Sequence, residues 1–266
     1  MNNQKEIIFS GILCYVNDER ASIQLFQDSL KQSDVIYQGD RVHSYKFEFA
    51  DNYLKISLSD GSAKPRNPNV FNVKTREQEP NPRQLDQAEP KEFFALLDFS
   101  NSYLWLSNTQ KKTMITDYFK NTFQNSQVVL KDVYDENKFV ETLKILDAVK
   151  ISAAPNLFTE TNTLSKALSE EMYGAYEATL NLKYKNFTLQ GKVLNWLKSI
   201  IDNKNNFKRI VISGRDEKNL GMLFNNNLFS RKIDFMAEVD DNEMFNPDDV
   251  FTKLIAKIKE EINEEK

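Results

Sequence analysis

The sequence predicts an α+β protein with hairpin-rich mixed sheets and packed helices, arranged in two subdomains. Three observations lead to this fold class. Apolar and polar residues alternate on both sides of short polar turns, which is typical of β-hairpins. Elsewhere apolar residues recur at helical spacing, most clearly near the C-terminal end. With 266 residues, 40% of them hydrophobic, the chain is long enough for about two domains.

The N-terminal end of the chain predicts a strand followed by a helix. Residues 7–16 form a mostly apolar run, which favours a strand. Ile23, Phe26 and Leu30 are then spaced for one face of a helix. We therefore expect a helix that opens at Asp18 and runs to about Lys31.

Two hairpins are predicted next, because in each a pair of strand-like segments flanks a short polar turn. The turns are Asp51-Asn52 and Ser100-Asn101. The second hairpin is apolar enough to be covered on both faces. The paired segments are residues 45–50 with 54–59 and residues 92–99 with 102–107.

Residues 60–91, between the hairpins, contain five of the seven prolines. Proline lacks a backbone N–H, so this segment has little room for helix or central strand. We expect a long loop or crossing arm, and long loops in compact domains are usually functional or mobile. Its first part, residues 64–76, carries Lys and Arg but no acidic residue.

The second half alternates between helices and strands. We place a domain boundary at Ala153-Ala154-Pro155, which separates an N-terminal α+β domain (1–153) from a C-terminal α+β domain (154–266). The C-terminal domain ends in an amphipathic helix with Asn246 as its N-cap and Pro247 as its first residue. The expected helices are 111–123, 136–143, 163–173 and 191–202, and the expected strands are 127–134, 144–152, 178–187, 207–213 and 232–239.

The chain lacks the residues that several classes of enzyme require. The single Cys14 cannot form an internal disulfide, and with the single His43 it cannot supply a structural zinc set. Neither common phosphate-binding glycine motif is present. We therefore predict no catalytic residue, no metal site and no cofactor. No apolar run is long enough for a transmembrane segment, and we expect a cytoplasmic protein.

Charge is distributed unevenly along the chain. The net charge is −4, but residues 183–218 contain nine Lys/Arg against three acids, whereas residues 238–266 contain ten acids against four bases. Two interpretations of the basic segment stay open. It forms either a surface for phosphates or a solvated face that the acidic segment or a partner neutralises. The DNA-binding residues that we predict are Lys183, Lys185, Lys192, Lys198, Lys204, Lys208, Arg209, Arg215 and Lys218, with Lys64 and Arg66 from the arm.

Two other functions remain as alternatives. A divalent-metal nuclease needs only carboxylates and a lysine, and Asp216-Glu217-Lys218 offers such a tripeptide. A protein–protein adaptor would instead use the acidic residues 238–249 against a basic partner.

Taken in order, the elements resemble those of the RexA-type phage-exclusion (abortive infection) proteins. The resemblance rests on element order and on the placement of lysines. It implies a homodimer that binds duplex DNA without sequence preference and works with an effector or membrane partner to abort phage growth. The matching segments are Phe93–Phe99 with Tyr103–Leu106, Lys111–Phe123, Lys144–Ala153, Leu164–Ser213 and the C-terminal helix.

Overall fold

A computed structural model describes residues 3–123, 126–134, 136–153, 178–225 and 228–265. The expected helix over 163–173 and most of the expected domain boundary lie outside these residues. In the first half the elements are β1 (Asn3–Val16), β2 (Glu19–Arg20), α1 (Ile23–Ser29), β3 (Ser33–Gln38), β4 (Arg41–Ala50), β5 (Tyr53–Ser62), β6 (Asn69–Phe71), β7 (Gln78–Pro80), β8 (Lys91–Asp98), β9 (Tyr103–Leu106) and α2 (Lys112–Thr122). In the second half they are β10 (Val128–Lys131), α3 (Glu136–Thr142), β11 (Ile145–Ala153), β12 (Ala178–Thr188), α4 (Gly191–Asp202), β13 (Arg209–Arg215), β14 (Gly221–Asn225), β15 (Leu228–Val239) and α5 (Pro247–Glu265).

The predicted α+β class is confirmed, and so are both hairpins. β4 pairs with β5 in antiparallel register up to Ala50 and Tyr53, which flank the Asp51-Asn52 turn. β8 pairs with β9 up to Asp98 and Tyr103. Asp51 has a φ of 50°, a left-handed conformation that Asp tolerates better than most residues.

The expected helix start at Asp18 is wrong. Asn17 and Asp18 have φ values of 54° and 62°, so they reverse the chain in a tight turn. Glu19 and Arg20 then pair with the end of β1 as the short strand β2. The helix begins at Ile23, after the chain has left this hairpin.

The proline-rich segment, expected as a long loop or crossing arm, contains regular structure. β6 and β7 form a two-stranded antiparallel ribbon with Asn69 opposite Pro80. Proline is tolerated there because a strand in a two-stranded ribbon has one side without a ladder, where no N–H is needed. The segment 60–91 is therefore an arm with its own hairpin, and we use the name arm for these residues.

The chain forms two compact units, each of which collects several segments. The first unit draws on Met1–Ile7, Cys14–Val129 and Met236–Lys253, and the second on Ile8–Leu13, Leu130–Phe235 and Leu254–Lys266. This division differs from the expected boundary after residue 153. Strands β1 and β15 and helix α5 each contribute residues to both units, so a single cut along the sequence cannot separate the two.

The first unit is built on the strand order β1-β9-β8-β5-β4-β3. Phe26 of α1 lies at the centre of its aromatic core, where its ring is 5.0 Å from Phe119 and 4.8 Å from Phe123 between centroids. Tyr45 of β4 stacks on Tyr118 of α2 at 4.2 Å. Helices α1 and α2 are thus held to the sheet by rings, which bury large apolar areas.

The second unit is built on the strand order β12-β11-β13-β14-β15-β1. Its strand registers place one row of apolar residues on a single face, from Leu182 through Val149 and Ile212 to Phe224. Helices α3 and α4 add their buried residues to the same cluster. This face is therefore covered, and the side chains that alternate with the row point to the other face.

Within the described residues, no helix is both long enough and apolar enough to cross a bilayer.

Candidate functional site

The predicted DNA-binding residues of the second unit fall into distinct places. Two lie on β12, two on β13 and two on α4, while the rest lie in connections. These are Lys183 and Lys185 on β12, Arg209 and Arg215 on β13, Lys192 and Lys198 on α4, Lys204 and Lys208 between α4 and β13, and Lys218 in the β13–β14 turn.

Strand alternation brings three cations together on the face of the sheet opposite the apolar cluster. Lys183 pairs with Ala148, and Arg209 pairs with Ser152, both on the outward-facing positions of β11. Lys150 lies between these two positions on the same face of β11. Lys183, Lys150 and Arg209 therefore form a diagonal line across three adjacent strands, which we name the cationic stripe.

Sheet geometry sets the spacing of the cationic stripe. Diagonal neighbours on adjacent antiparallel strands lie roughly 7–8 Å apart, so three such residues span roughly 15 Å. Lys183 and Arg209 are exposed and Lys150 is half-buried. Lys185 is also exposed and follows Lys183 along β12, beside a register shift in β11.

The cationic stripe is not neutralised within the described residues. None of its three side chains, Lys183, Lys150 and Arg209, forms an ion pair with another described residue. Arg215, on the same strand as Arg209, differs because its guanidinium binds Asp147 at 2.9 Å and Asn219 at 2.8 Å. Arg215 is therefore engaged in local structure.

The two helix lysines point away from the stripe. Helix α4 buries Leu197, Ile200 and Ile201 in the cluster on the covered face of the sheet. Lys192 and Lys198 are exposed on the side of α4 that faces away from this cluster. A helix packed on one face of a sheet cannot share a surface with residues on the other face, so the strand and helix cations form separate patches.

The arm cations lie in the first unit and have local partners. Lys64 pairs with Asp40 at 3.6 Å between two exposed side chains. Arg66 donates to the backbone oxygens of Arg83 at 2.6 Å and Asn81 at 2.7 Å. The Arg66 guanidinium thus links the two sides of the arm and has a structural role.

In the Asp216-Glu217-Lys218 tripeptide of the nuclease alternative, the Asp216 carboxylate has a structural role. Asp216 is buried, and its Oδ1 accepts the backbone N–H groups of Lys218 at 3.0 Å and Leu220 at 2.8 Å. Its Oδ2 binds Arg231 at 2.9 Å. In the described part of the chain no group of three or more His, Cys, Asp or Glu is arranged to hold a metal ion. The Asp216 carboxylate therefore stabilises this turn.

The acidic segment before α5 also forms turns and caps. Oδ1 of Asp240 accepts the backbone N–H groups of Asn242 and Met244, and these hydrogen bonds lower the pKa of Asp240. Burial works to raise the pKa of Asp249, but hydrogen bonds from Lys253 and from the Glu238 backbone outweigh it, so this pKa is also lowered. Both carboxylates are therefore explained by local structure.

A second polar site, not anticipated from the sequence, lies in the first unit. His43 of β4 is opposite Asp60 of β5, and its Nδ1 atom is 3.2 Å from Oδ1 of Asp60. Lys111 binds the other carboxylate oxygen, and Arg41 lies 3.8 Å from it. Both His43 and Asp60 are largely buried, at 13% and 10% side-chain exposure.

These groups form the polar end of a cleft of about 290 Å³ beside α2. Burial works to raise the pKa of Asp60, but the hydrogen bond and charge of Lys111, aided by His43 and Arg41, lower it overall. Asp60 is thus ionised at neutral pH and holds three nitrogen-bearing side chains around it. The cleft is lined further by Ile36, Gln38, Tyr45, Gln110, Thr113, Met114, Asp117, Tyr118 and Asn121.

Two of these site residues were hidden from sequence reasoning for different reasons. Lys150 lies outside the basic segment, on the expected N-terminal side of the domain boundary, and only the strand register brings it beside Lys183 and Arg209. Asp60 is the first residue of the proline-rich segment in the sequence, although β5 extends to Ser62. Extending the alternation of the first hairpin by two residues would have paired Asp60 with His43.

Fold and surface together define a hairpin-rich α+β protein whose cationic stripe, in the part of the chain that the structure describes, forms no ion pair. Compared with models of known protein families and with curated proteins, the chain matches none of them. The resemblance to RexA-type proteins stays a prediction, carried by element order.

Proposed function

We propose that this protein binds duplex DNA without sequence preference through the cationic stripe, works as a homodimer and breaks no bonds. The observation that carries this proposal is the diagonal line of Lys183, Lys150 and Arg209, which form no ion pair within the described residues, on the face of the sheet opposite the apolar cluster. Lys and Arg side chains that contact phosphates release condensed counterions from DNA, which provides affinity without reading bases.

The surroundings of the stripe favour backbone contact over base recognition. Lys150 lies opposite Asn181 of β12 and Val211 of β13, and its neighbours along β11 on the same face are Ala148 and Ser152. No aromatic residue occupies the outward positions between them, which disfavours base stacking of single strands. A duplex, which offers phosphates and keeps its bases stacked, fits this surface better.

The experiment is a fluorescence-anisotropy titration with random duplex DNA over a range of salt concentrations. A double variant, Lys183→Gln with Arg209→Gln, removes two stripe charges. We expect weaker binding and a salt dependence whose log–log slope falls by about 0.9 for each lost phosphate contact.

The matched control is Lys192→Gln with Lys198→Gln, which removes the same charge from the other side of the second unit. We expect this control to bind almost as the unchanged protein does. Equal losses in the two double variants would indicate a diffuse charge effect and contradict the stripe. Absence of binding at about 50 mM salt would overturn DNA binding altogether.

The element order that resembles RexA-type proteins adds a cellular role to this proposal, namely phage exclusion with an effector partner. The test is a plaque assay on cells that carry the protein and its neighbouring genes. We expect the stripe double variant to lose exclusion while the α4 double variant retains it. Exclusion that survives loss of the stripe would contradict a DNA-dependent role.

A further inference from the structure

The cleft beside α2 has a sheet as its floor and a helix as its wall, and all of its residues belong to the first unit. On the floor Ile36, His43 and Asp60 lie side by side, because Ile36 pairs with His43 and His43 with Asp60 across three adjacent strands. The residues of α2 that line the cleft recur three and four positions apart, so they share one side of the helix. They are Thr113, Met114, Asp117, Tyr118 and Asn121.

One end of the cleft is cationic. Lys111 binds Asp60 directly, whereas the Arg41 side chain is 61% exposed and approaches this carboxylate only to 3.8 Å. Asp40 precedes Arg41 in the chain, but its carboxylate pairs with Lys64. Helix α2 begins immediately after Lys111, so the positive end of the helix dipole lies here as well. This end of the cleft therefore favours an anion.

His43 offers a hydrogen-bonding atom at the same end. Its side chain is 13% exposed, so the surrounding residues fix the orientation of the ring. The buried ring nitrogen is Nδ1, which faces Asp60. Nε2 is left open to the cleft that His43 lines, and it forms no hydrogen bond within the described residues. A molecule in the cleft can therefore bind this nitrogen without displacing a protein partner.

Two further carboxylates near the cleft lie away from its cationic end. Asp34 of β3 is four residues from Gln38, which pairs with Arg41, so about 13 Å of strand separates Asp34 from that end. Oδ2 of Asp34 also accepts a hydrogen bond from the Tyr118 hydroxyl at 3.2 Å. Asp117, the neighbour of Tyr118, is exposed. The cleft is therefore polarised along its length.

Apolar and aromatic side chains line the cleft between its two ends. Tyr45 and Tyr118 stack on each other, and burial raises the pKa of both hydroxyls, so these rings stay neutral. Ile36 and Met114 add half-buried apolar surface. The volume of about 290 Å³ is at the lower end of the range for ligand pockets, which begins at roughly 300 Å³. It suits a single ring with one acidic substituent.

We propose that this cleft binds a small organic acid whose anionic group, a carboxylate or a phosphate, meets Arg41 and Nε2 of His43. The ring of that acid then lies along Ile36 and Met114. A guanidinium presents two parallel N–H donors that match either anion, and a protonated imidazole donates from Nε2. Asp60 positions the cations and does not itself contact the acid. The cleft belongs to the first unit and the cationic stripe to the second, so this inference is independent of DNA binding.

The experiment uses the single histidine, because every imidazole signal in an NMR spectrum of this protein belongs to His43. The full chain with isotopically labelled histidine is titrated with benzoate, with phenyl phosphate and with benzamide, which has the ring but no charge. We expect both acids to shift the His43 signal to saturation and benzamide to bind at least tenfold more weakly. Inorganic phosphate, an anion without a ring, should bind at least tenfold more weakly than phenyl phosphate.

Two exposed cations of β4 provide matched variants. Arg41→Gln removes the charge at the cleft. Lys46→Gln removes one charge from the opposite face of the same strand, since side chains alternate between the two faces. We expect Arg41→Gln to raise the Kd of both acids at least tenfold and Lys46→Gln to leave it unchanged. Both positions are exposed, and circular dichroism establishes that the variants are folded.

Three results would contradict this site. A His43 signal that neither acid moves at millimolar concentration overturns the cleft as a binding site. Equal binding of benzamide and benzoate, or equal losses in the two variants, overturns the role of the cationic end. Equal binding of phosphate and phenyl phosphate overturns an organic acid as the ligand. Tighter binding of benzoate or of phenyl phosphate supports the site in either case and identifies the anionic group that it prefers.

Discussion

His43, the only imidazole of the chain, places its Nδ1 atom 3.2 Å from Oδ1 of Asp60 across two neighbouring strands. The same carboxylate binds Lys111 at the start of α2. One largely buried anion therefore joins β4, β5 and the N-terminal end of α2. Its role in stability follows from this arrangement and is open to direct test.

Asp60→Asn should lower the free energy of unfolding by about 2 kcal/mol, because Lys111 and His43 lose their common charged partner in a poorly hydrated site. Urea denaturation at neutral pH measures this difference. Asp40→Asn is the control, since Asp40 and its partner Lys64 are both exposed and lie 3.6 Å apart. The control should change stability very little. A similar loss in both variants would contradict a special role for Asp60.

The stabilising effect of Asp60 should depend on pH. The pKa of Asp60 is lowered in the folded protein, so its contribution is fully present above the ordinary pKa of an aspartate and is lost as pH falls through the lowered value. The stability difference between the unchanged protein and Asp60→Asn should therefore be constant near neutral pH and shrink in acid, below about pH 4. Urea unfolding of both proteins across this range provides the measurement. A difference that grows on acidification would refute the assignment.

Asp216→Ala should be more damaging than most single changes, at about 3 kcal/mol, because it removes the ion pair with the largely buried Arg231 and frees two backbone N–H groups. Thermal unfolding measures the loss. A double variant that also carries Arg231→Met should recover part of this loss, since the guanidinium that loses the ion pair is removed with it. No recovery would show that the turn, rather than the ion pair, accounts for the effect.

The same residue tests the nuclease alternative. Incubation of the unchanged protein with plasmid DNA and Mg²⁺ or Mn²⁺ should yield no cleavage, because both oxygens of Asp216 already have protein partners. Cleavage that disappears in Asp216→Asn would overturn the non-enzymatic proposal.

Asn246→Ala should cost about 1 kcal/mol of stability. Its side-chain oxygen accepts the backbone N–H groups of Asp248 at 3.0 Å and Asp249 at 3.4 Å, which are otherwise unpaired at the start of α5. Asn246→Asp preserves an acceptor and should retain nearly full stability. Thermal unfolding of the two variants distinguishes loss of the capping hydrogen bonds from other effects of changing Asn246. Equal losses of stability in both variants would exclude capping as the cause.

Local patterns were sufficient for much of the fold. Alternating polarity around Asp51-Asn52 predicted the first hairpin, and the Asn246-Pro247 pair predicted the start of the last helix. Both signals act over a few residues, so the sequence contains everything they need. The expected helix at Asp18 failed because the left-handed turn at Asn17 and Asp18 belongs to a hairpin with β1, which helical spacing does not reveal.

The sequence by itself determined the fold class, the hairpins, the capped last helix and the concentration of positive charge near residues 183–218. Only the tertiary structure decided which charges share a surface. In the folded chain Lys150 lies between Lys183 and Arg209, and His43 lies beside Asp60. The lysines of α4 lie on a different face of the second unit. The physical reason is strand register: side chains alternate every residue, so neighbours across a sheet depend on how distant segments align, and composition along the chain carries no record of that alignment.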